Sequence, residues 1–137
     1  MLNVRRVNGE NEEHLRGLQE LGKELNKLRM SRGLSLAQVS MRVGCNAGYL
    51  SDIERGRLMP SDTLIRALAS YYSLDENELF ERIGRVPLAV REELETSTLL
   101  QKTLKEITSS ALNPDKKQEL YQRFYGLFKD FEIQAMQ

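Results

Sequence analysis

The chain has little of the chemistry that metal sites and disulfides need, with one cysteine and one histidine among 137 residues. A single cysteine excludes an internal disulfide, and one histidine leaves no ligand cluster for a transition metal. Basic and acidic residues balance at 20 each, so no overall positive field draws the chain to nucleic acid. No apolar run approaches the roughly 20 residues that cross a bilayer, and no apolar segment follows Arg5 and Arg6 as in a signal peptide. We therefore expect a cytoplasmic protein without metal or cofactor.

Helical periodicity is the main pattern that is present. Leucines between Leu15 and Leu28 recur three or four residues apart and share one stripe. This stripe predicts either one long first helix or a short separate helix that breaks near Gly17 or Gly22. Neither a strand pattern nor an internal repeat is found, so the predicted fold class is all-α.

The C-terminal third also reads as helices, separated by recognisable boundary residues. Pro87, after Gly84, marks a joint, because proline disfavours helix for the residue before it and suits a first helical position. A short helix is predicted over 88–94 and another from about Ser97. The run 113–115, Asn-Pro-Asp, then supplies a cap, a first-turn proline and an acid at the start of the last helix.

The most informative stretch is 34–56, which predicts two short helices joined by a tight turn. Ser35 can cap the first helix, and Gly44 can adopt the positive φ that ends it sharply. Asn46 can cap the second helix, on which Leu50 and Ile53 lie three residues apart and face a core. This is the shape of a helix-turn-helix.

Residues 21–80 resemble the Xre/Cro-type helix-turn-helix family of bacterial and phage repressors. The resemblance rests on the order of five helices and on the run Tyr-Leu-Ser-Asp-Ile-Glu-Arg-Gly at 49–56. It implies a five-helix lambda-repressor-like DNA-binding domain, followed by a small helical C-terminal dimerisation region. The predicted division is 1–17 for an N-terminal arm and the start of the first helix, 18–84 for the DNA-binding domain, and 85–137 for the dimerisation region.

Five residues are predicted to lie on the arc of the recognition helix that faces DNA bases: Asn46, Ala47, Gly48, Ser51 and Asp52. The resemblance matches three of them, Ala47, Gly48 and Asp52, to positions that read bases. Ala47 and Gly48 carry no long donor, so they permit close approach or contact with a thymine methyl but no bidentate reading of a purine. Asp52 either accepts from a cytosine amino group or faces solvent. DNA shape then contributes to specificity.

Four further residues are candidates for phosphate contact. Arg55 and Arg57 flank Gly56 in a loop that the resemblance places beside the DNA backbone, and Arg42 ends the preceding helix. Guanidinium groups match phosphate oxygens bidentately, so phosphate contact is favoured, with two solvated arginines in an exposed turn as the alternative. Tyr49 either offers its hydroxyl to phosphate or packs its ring against the fourth helix.

Three positions have a structural interpretation. Arg29 and Glu54 occupy positions where the family often pairs an arginine of the first helix with a glutamate that ends the recognition helix. Such a pair would brace the recognition helix against its scaffold. Cys45 is interpreted as a small buried hydrophobe, with a redox sensor as the alternative.

The last helix carries an apolar stripe that we interpret as the dimerisation element: Leu120, Phe124, Leu127, Phe128 and Phe131. Folding of this stripe back onto the DNA-binding domain is the alternative. The chain contains no recognisable catalytic set, so we do not expect an enzyme. The resulting hypothesis is a repressor that binds double-stranded DNA as a homodimer. The alternative is an antitoxin or similar interaction protein, whose C-terminal helices hold a protein partner or an anti-repressor.

Overall fold

The computed structural model describes the backbone of residues 4–137 and the side chains of residues 12–137. Every regular element in these residues is a helix, which confirms the all-α prediction. In chain order the helices are α1 (Val4–Ser31), α2 (Leu36–Val43), α3 (Ala47–Glu54), α4 (Asp62–Tyr72), α5 (Glu76–Arg82), α6 (Leu88–Thr96), α7 (Thr98–Ser109) and α8 (Pro114–Ala135).

Helix α1 is unbroken, so the longer of the two predicted first helices is the one that forms. From Val4 onward, the predicted N-terminal arm is part of this helix. The two glycines that raised the possibility of a break are instead points of close helix packing. A Cβ atom at Gly22 would lie 2.5 Å from the Ile53 carbonyl oxygen, and one at Gly17 would collide with the carbonyl oxygen of Arg82.

The chain divides into two compact units, residues 1–92 and residues 93–137. The division falls within α6 rather than after Gly84, because the first part of α6 packs with the first unit. Leu88 lies against the core, and the Arg91 guanidinium lies 5.6 Å from the centre of the Phe80 ring.

The first unit contains α1–α5 around one hydrophobic core, the five-helix arrangement that the resemblance implies. Its fully buried side chains come from every one of these helices and include Leu21, Val39, Ile53, Leu68 and Phe80. Their burial supplies the hydrophobic driving force that holds the short helices in place.

The second unit contains α7 and α8. Ser97 caps α7, and Asn113 caps α8 with Pro114 in its first turn, as the sequence predicts. Neither helix has a buried residue. Leu100, Leu104, Leu120 and Phe124 are among the side chains that line an apolar groove of about 440 Å³ in this unit. Among the described helices, none combines the length and the apolar character that a membrane crossing requires.

Candidate nucleic-acid interface

Local capping builds the helix-turn-helix. The Ser35 hydroxyl accepts from the Gln38 amide at 3.1 Å, and the Gln38 side chain accepts from the Ser35 amide at 2.8 Å. Gly44 ends α2 at a φ of 81°, a left-handed conformation that glycine adopts without strain. The Asn46 side-chain oxygen accepts from the Tyr49 amide at 2.7 Å and starts α3. These reciprocal bonds satisfy helix-end amides that would otherwise lack partners.

Arg29 and Glu54 form a buried ion pair between α1 and the end of α3. Arg29 Nε donates to Glu54 Oε2 at 2.8 Å, and Arg29 Nη2 donates to Glu54 Oε1 at 3.0 Å. Asn26 donates to the same carboxylate at 2.8 Å, and Arg29 Nη1 also donates to the Leu34 carbonyl oxygen at 2.9 Å. The hydrogen bond to Glu54 raises the pKa of Arg29. The pair therefore ties the end of α3 to both α1 and the turn before α2.

Of the five residues predicted to face DNA bases, Asn46 immediately precedes α3 and the other four lie on it. Asn46 and Gly48 are exposed, while Ala47, Ser51 and Asp52 are half-buried. Asn46 uses its side-chain oxygen for the cap, so its amide group is what it can offer to a base. The short side chains at positions 47 and 48 leave the start of the helix open to close approach by a ligand.

Three arginines are predicted to contact phosphate. Arg55 and Arg57 follow the end of α3, whereas Arg42 lies in the last turn of α2 and lines a shallow depression with residues of α4. Arg42, Arg55 and Arg57 are all exposed, and their guanidinium groups have no ion-pair partner among the side chains of residues 12–137. Gly56, between two of them, is buried at a φ of 71° against Gln19 of α1. This close contact fixes the backbone from which Arg55 and Arg57 project.

Tyr49 uses its hydroxyl within the protein. The oxygen accepts from the Ser61 amide at 3.0 Å and lies 3.4 Å from the Met59 carbonyl oxygen, to which it can donate. These bonds connect α3 to the segment before α4, which favours a bracing role for this residue over phosphate contact.

Cys45 is half-buried and packs against the hydrophobic core. Burial raises the pKa of its thiol, which lowers the fraction of reactive thiolate at neutral pH. This environment favours the packing interpretation over a redox sensor. Within residues 12–137, no group of three or more metal-ligating side chains is found.

The five side chains of the predicted dimerisation stripe on α8 are all exposed. Phe124 and Phe131 each expose 63% of their surface. Four of the five, together with Tyr125, line an apolar depression of about 400 Å³. The predicted dimerisation region, 85–137, includes α7, but the residues singled out within it all lie on α8. The structure adds leucines of α7 to the apolar groove, because leucine spacing alone does not reveal which helix α7 will adjoin.

Comparison with known proteins gives one consistent result for the first unit. A family described as "Helix-turn-helix domain" matches residues 20–81. The HTH-type transcriptional regulator DdrOP3 of Deinococcus deserti is 38% identical over 64 residues, which are 47% of this chain and 50% of that protein. Transcriptional regulator ClgR of Mycobacterium tuberculosis is 43% identical over 54 residues, 39% of this chain and 48% of that protein. The chain thus spans about half the length of these two relatives.

A shorter relative is matched over nearly all of its length. The uncharacterised HTH-type transcriptional regulator y4dJ of Sinorhizobium fredii is 31% identical over 71 residues, 52% of this chain and 92% of that protein. Among solved structures, the SinR protein/SinI protein complex matches with a TM-score of 0.40 and 18% identity, over 77% of this chain and 96% of that one. With the capped helix pair in the first unit, the family match and the y4dJ relative establish that the chain belongs to the HTH-type transcriptional regulators.

Proposed function

We propose that this protein is a repressor that binds a palindromic operator in double-stranded DNA as a homodimer. The observation that carries the proposal is the accessible face of α3, which the exposed Arg55 and Arg57 follow and which the buried pair of Arg29 and Glu54 holds against α1. Helix-turn-helix proteins insert such a helix into the major groove, where side chains and backbone meet base edges.

The charge distribution supports contact with DNA through a few local positive charges. The chain has no net charge, so attraction to DNA must come from a few cations placed where phosphates lie. The exposed Arg55 and Arg57 after α3, together with the exposed Arg42 at the end of α2, are the candidates for these cations. Base discrimination is then assigned to Asn46, Ser51 and Asp52, with Ala47 and Gly48 allowing close approach.

The apolar surface of the second unit supports a homodimer. Helix α8 has 22 residues and α7 has 12, so α8 is longer by about 15 Å and α7 cannot cover all of its apolar face. Leu127, Phe128 and Phe131 remain exposed in consequence. A second copy can cover this surface through a two-fold axis, which also presents two recognition helices to the two halves of a palindrome.

Selection of bound sequences from random double-stranded DNA tests the proposal directly. The expected outcome is an inverted repeat whose half-site centres lie about 10 base pairs apart, one turn of DNA. A chain with Arg55→Ala and Arg57→Ala serves as the negative control. Failure of the unmodified protein to enrich any sequence would refute DNA recognition, and enrichment of a single unrepeated half-site would refute the palindrome.

The apolar surface of the second unit also supports a second candidate function. In this function α7 and α8 bind a different protein, while the helix-turn-helix represses the operon that encodes this chain. Purification of the chain alone separates the two functions. A dimer with a protease-resistant region 93–137 supports the homodimeric repressor. A chain that binds DNA but aggregates, and whose region 93–137 is rapidly digested, supports the missing-partner function.

A further inference from the structure

The segment that follows the recognition helix is held at its C-terminal end by three separate side chains. Arg85 Nη1 donates to the Pro60 carbonyl oxygen at 2.9 Å, and the Tyr49 hydroxyl accepts from the Ser61 amide at 3.0 Å. The Asp62 carboxylate, next in sequence, accepts from Arg91. Pro60 itself is fully buried. Residues 60–62 are therefore fixed in position rather than merely exposed on a turn.

The contact between Arg91 and Asp62 is the most directional of these. Arg91 Nη1 and Nη2 donate to the two carboxylate oxygens at 2.8 Å and 2.9 Å, and Arg85 adds a bond of 3.1 Å to the same group. Bidentate pairing specifies orientation as well as distance, because two parallel bonds form only in one relative geometry. The aromatic face of Phe80 lies 5.6 Å from the Arg91 guanidinium carbon and helps to seat it.

The loop between α3 and α4 runs over residues 55–61, and its N-terminal end, next to α3, is also fixed. The Arg57 amide donates to the Asp52 carbonyl oxygen at 2.9 Å, and Gly56 packs against Gln19. The exposed Arg55 and Arg57 thus lie on a short segment that is anchored to α3 at one end and to α6 through Asp62 at the other.

We propose that Arg91, assisted by Arg85, is a positioning residue for DNA binding: by clamping Asp62 and Pro60 it holds the loop that presents Arg55 and Arg57 to phosphate. This inference rests on the proposed DNA-binding function. It assigns a role to two residues outside the range 20–81 that matches the helix-turn-helix family. The role is indirect, because neither guanidinium forms part of the predicted DNA-contacting face.

Arg66 provides a matched control on the same helix pair. It donates to Glu76 at 2.6 Å and to Glu92 of α6 at 2.6 Å, so it also joins α6 to α4. None of its hydrogen bonds reaches residues 59–62. Arg66→Ala therefore removes an ion-pair network of similar extent without releasing the loop.

The first measurement is DNA affinity at several salt concentrations for the unmodified chain, Arg91→Ala and Arg66→Ala. For Arg91→Ala we expect an affinity loss of about tenfold, and a log–log salt slope that is shallower by about 0.9 for each arginine that no longer reaches phosphate. Arg66→Ala should keep the original slope. If Arg91 only stabilised the fold, both variants would be less stable, and both would keep the salt slope of the unmodified chain. Equal slopes in all three proteins would therefore overturn the proposal.

The second measurement needs no DNA and separates this inference from the proposed function. Amide hydrogen exchange over residues 55–61 should be faster in Arg91→Ala than in the other two proteins, because the loop loses its anchor. If exchange is unchanged, the clamp is refuted. If exchange rises but even the unmodified chain binds no DNA, the clamp is supported and the proposed function fails. Should Arg91→Ala not fold, Arg91→Lys keeps the charge, loses the bidentate geometry and replaces it in both measurements.

Discussion

At the scale of single residues, Gly22 shows how closely α1 approaches the recognition helix. A methyl group there would lie 2.5 Å from the Ile53 carbonyl oxygen and 2.7 Å from that of Glu54, and backbone atoms cannot yield as a flexible side chain can. We expect Gly22→Ala to lower the free energy of unfolding by about 1–3 kcal/mol, the usual cost of overpacking. Urea unfolding of the purified protein measures this loss.

Gly48 is the matched control for this substitution, since it is also a helical glycine of the first unit. An added Cβ there would meet only the Asn46 side-chain oxygen, at an ordinary 3.5 Å. Alanine favours helix over glycine by up to about 1 kcal/mol, so Gly48→Ala should leave stability unchanged or raise it. A decrease of equal size in both variants would contradict the close-approach argument.

The buried pair of Arg29 and Glu54 yields a second prediction at this scale. Glu54→Ala leaves the Arg29 guanidinium buried without its counter-charge, an arrangement that costs about 3–5 kcal/mol in buried pairs. Glu20→Ala, which removes the same side chain from the exposed face of α1, is the control. Thermal unfolding should show a much lower melting temperature for Glu54→Ala alone. Similar melting temperatures for the two variants would argue against a bracing role.

At the scale of helices, the ends were predictable from sequence and the contacts between helices were not. Ser35, Asn46 and Asn113 each cap the helix that they precede, because a cap needs only an amide three residues away. Gly22 by itself was equally compatible with a helix break and with close packing. Only the carbonyl groups of α3, which are distant in sequence, distinguish the two.

The same distinction applies to the candidate site. The stretch 34–56 predicted the helix-turn-helix because its signals lie within one continuous segment. The contact between Asp62 and Arg91, 29 residues apart, left no signal, since charged residues are common on exposed helices. Likewise, the sequence did not distinguish between contact of the Tyr49 hydroxyl with phosphate and packing of its ring against the fourth helix. Its bond to Ser61 depends on how the loop returns to α4.

The hydrogen bonds from Arg91 and Arg85 to Asp62 predict a pH dependence of stability. Hydrogen bonding from Arg91 is the main cause that lowers the pKa of Asp62 in the folded protein. A lowered folded-state pKa means that the stabilisation is fully present above the ordinary pKa of an aspartate, about 4, and is lost as the pH falls from there through the lowered pKa of Asp62. The destabilising effect of Asp62→Asn should therefore be largest near neutral pH and shrink on acidification.

Urea unfolding at a series of pH values measures this difference, with Arg91→Ala as the background control. In that background the Asp62→Asn substitution should have a smaller effect at neutral pH, because the main partner of the carboxylate is already absent. A stability difference between the unmodified protein and Asp62→Asn that stays constant from about pH 6 to pH 3 would contradict the assignment.

At the scale of the whole molecule, the exposed aromatic residues of α8 predict the oligomeric state. Burial of a phenylalanine side chain contributes roughly 1.5–3 kcal/mol, so loss of two from one interface weakens it strongly. We expect the double variant Phe124→Ala with Phe128→Ala to shift the protein from dimer toward monomer in light scattering. It should also weaken binding to a full operator more than to a half-site.

The double variant Met30→Ala with Met41→Ala is the control, because both methionines are exposed on the first unit. Light scattering should show the same oligomeric state for this variant as for the unmodified protein. An undiminished dimer in the phenylalanine variant would place the self-association elsewhere in the chain.

The last prediction concerns how a chain without net charge holds DNA. Each phosphate contact releases counterions and adds roughly 0.9 to the log–log dependence of affinity on salt, whatever the base sequence. Arg55→Ala or Arg57→Ala should therefore weaken binding to operator and random DNA alike and make the salt slope shallower. Ser51→Ala should instead change the preferred bases and leave the slope nearly intact. Arg123→Ala removes an exposed arginine of α8 that pairs with Glu119, and it controls for the loss of one positive charge. If Arg55→Ala lost only operator preference at an unchanged slope, the division between phosphate-contacting arginines and a base-reading helix face would be wrong.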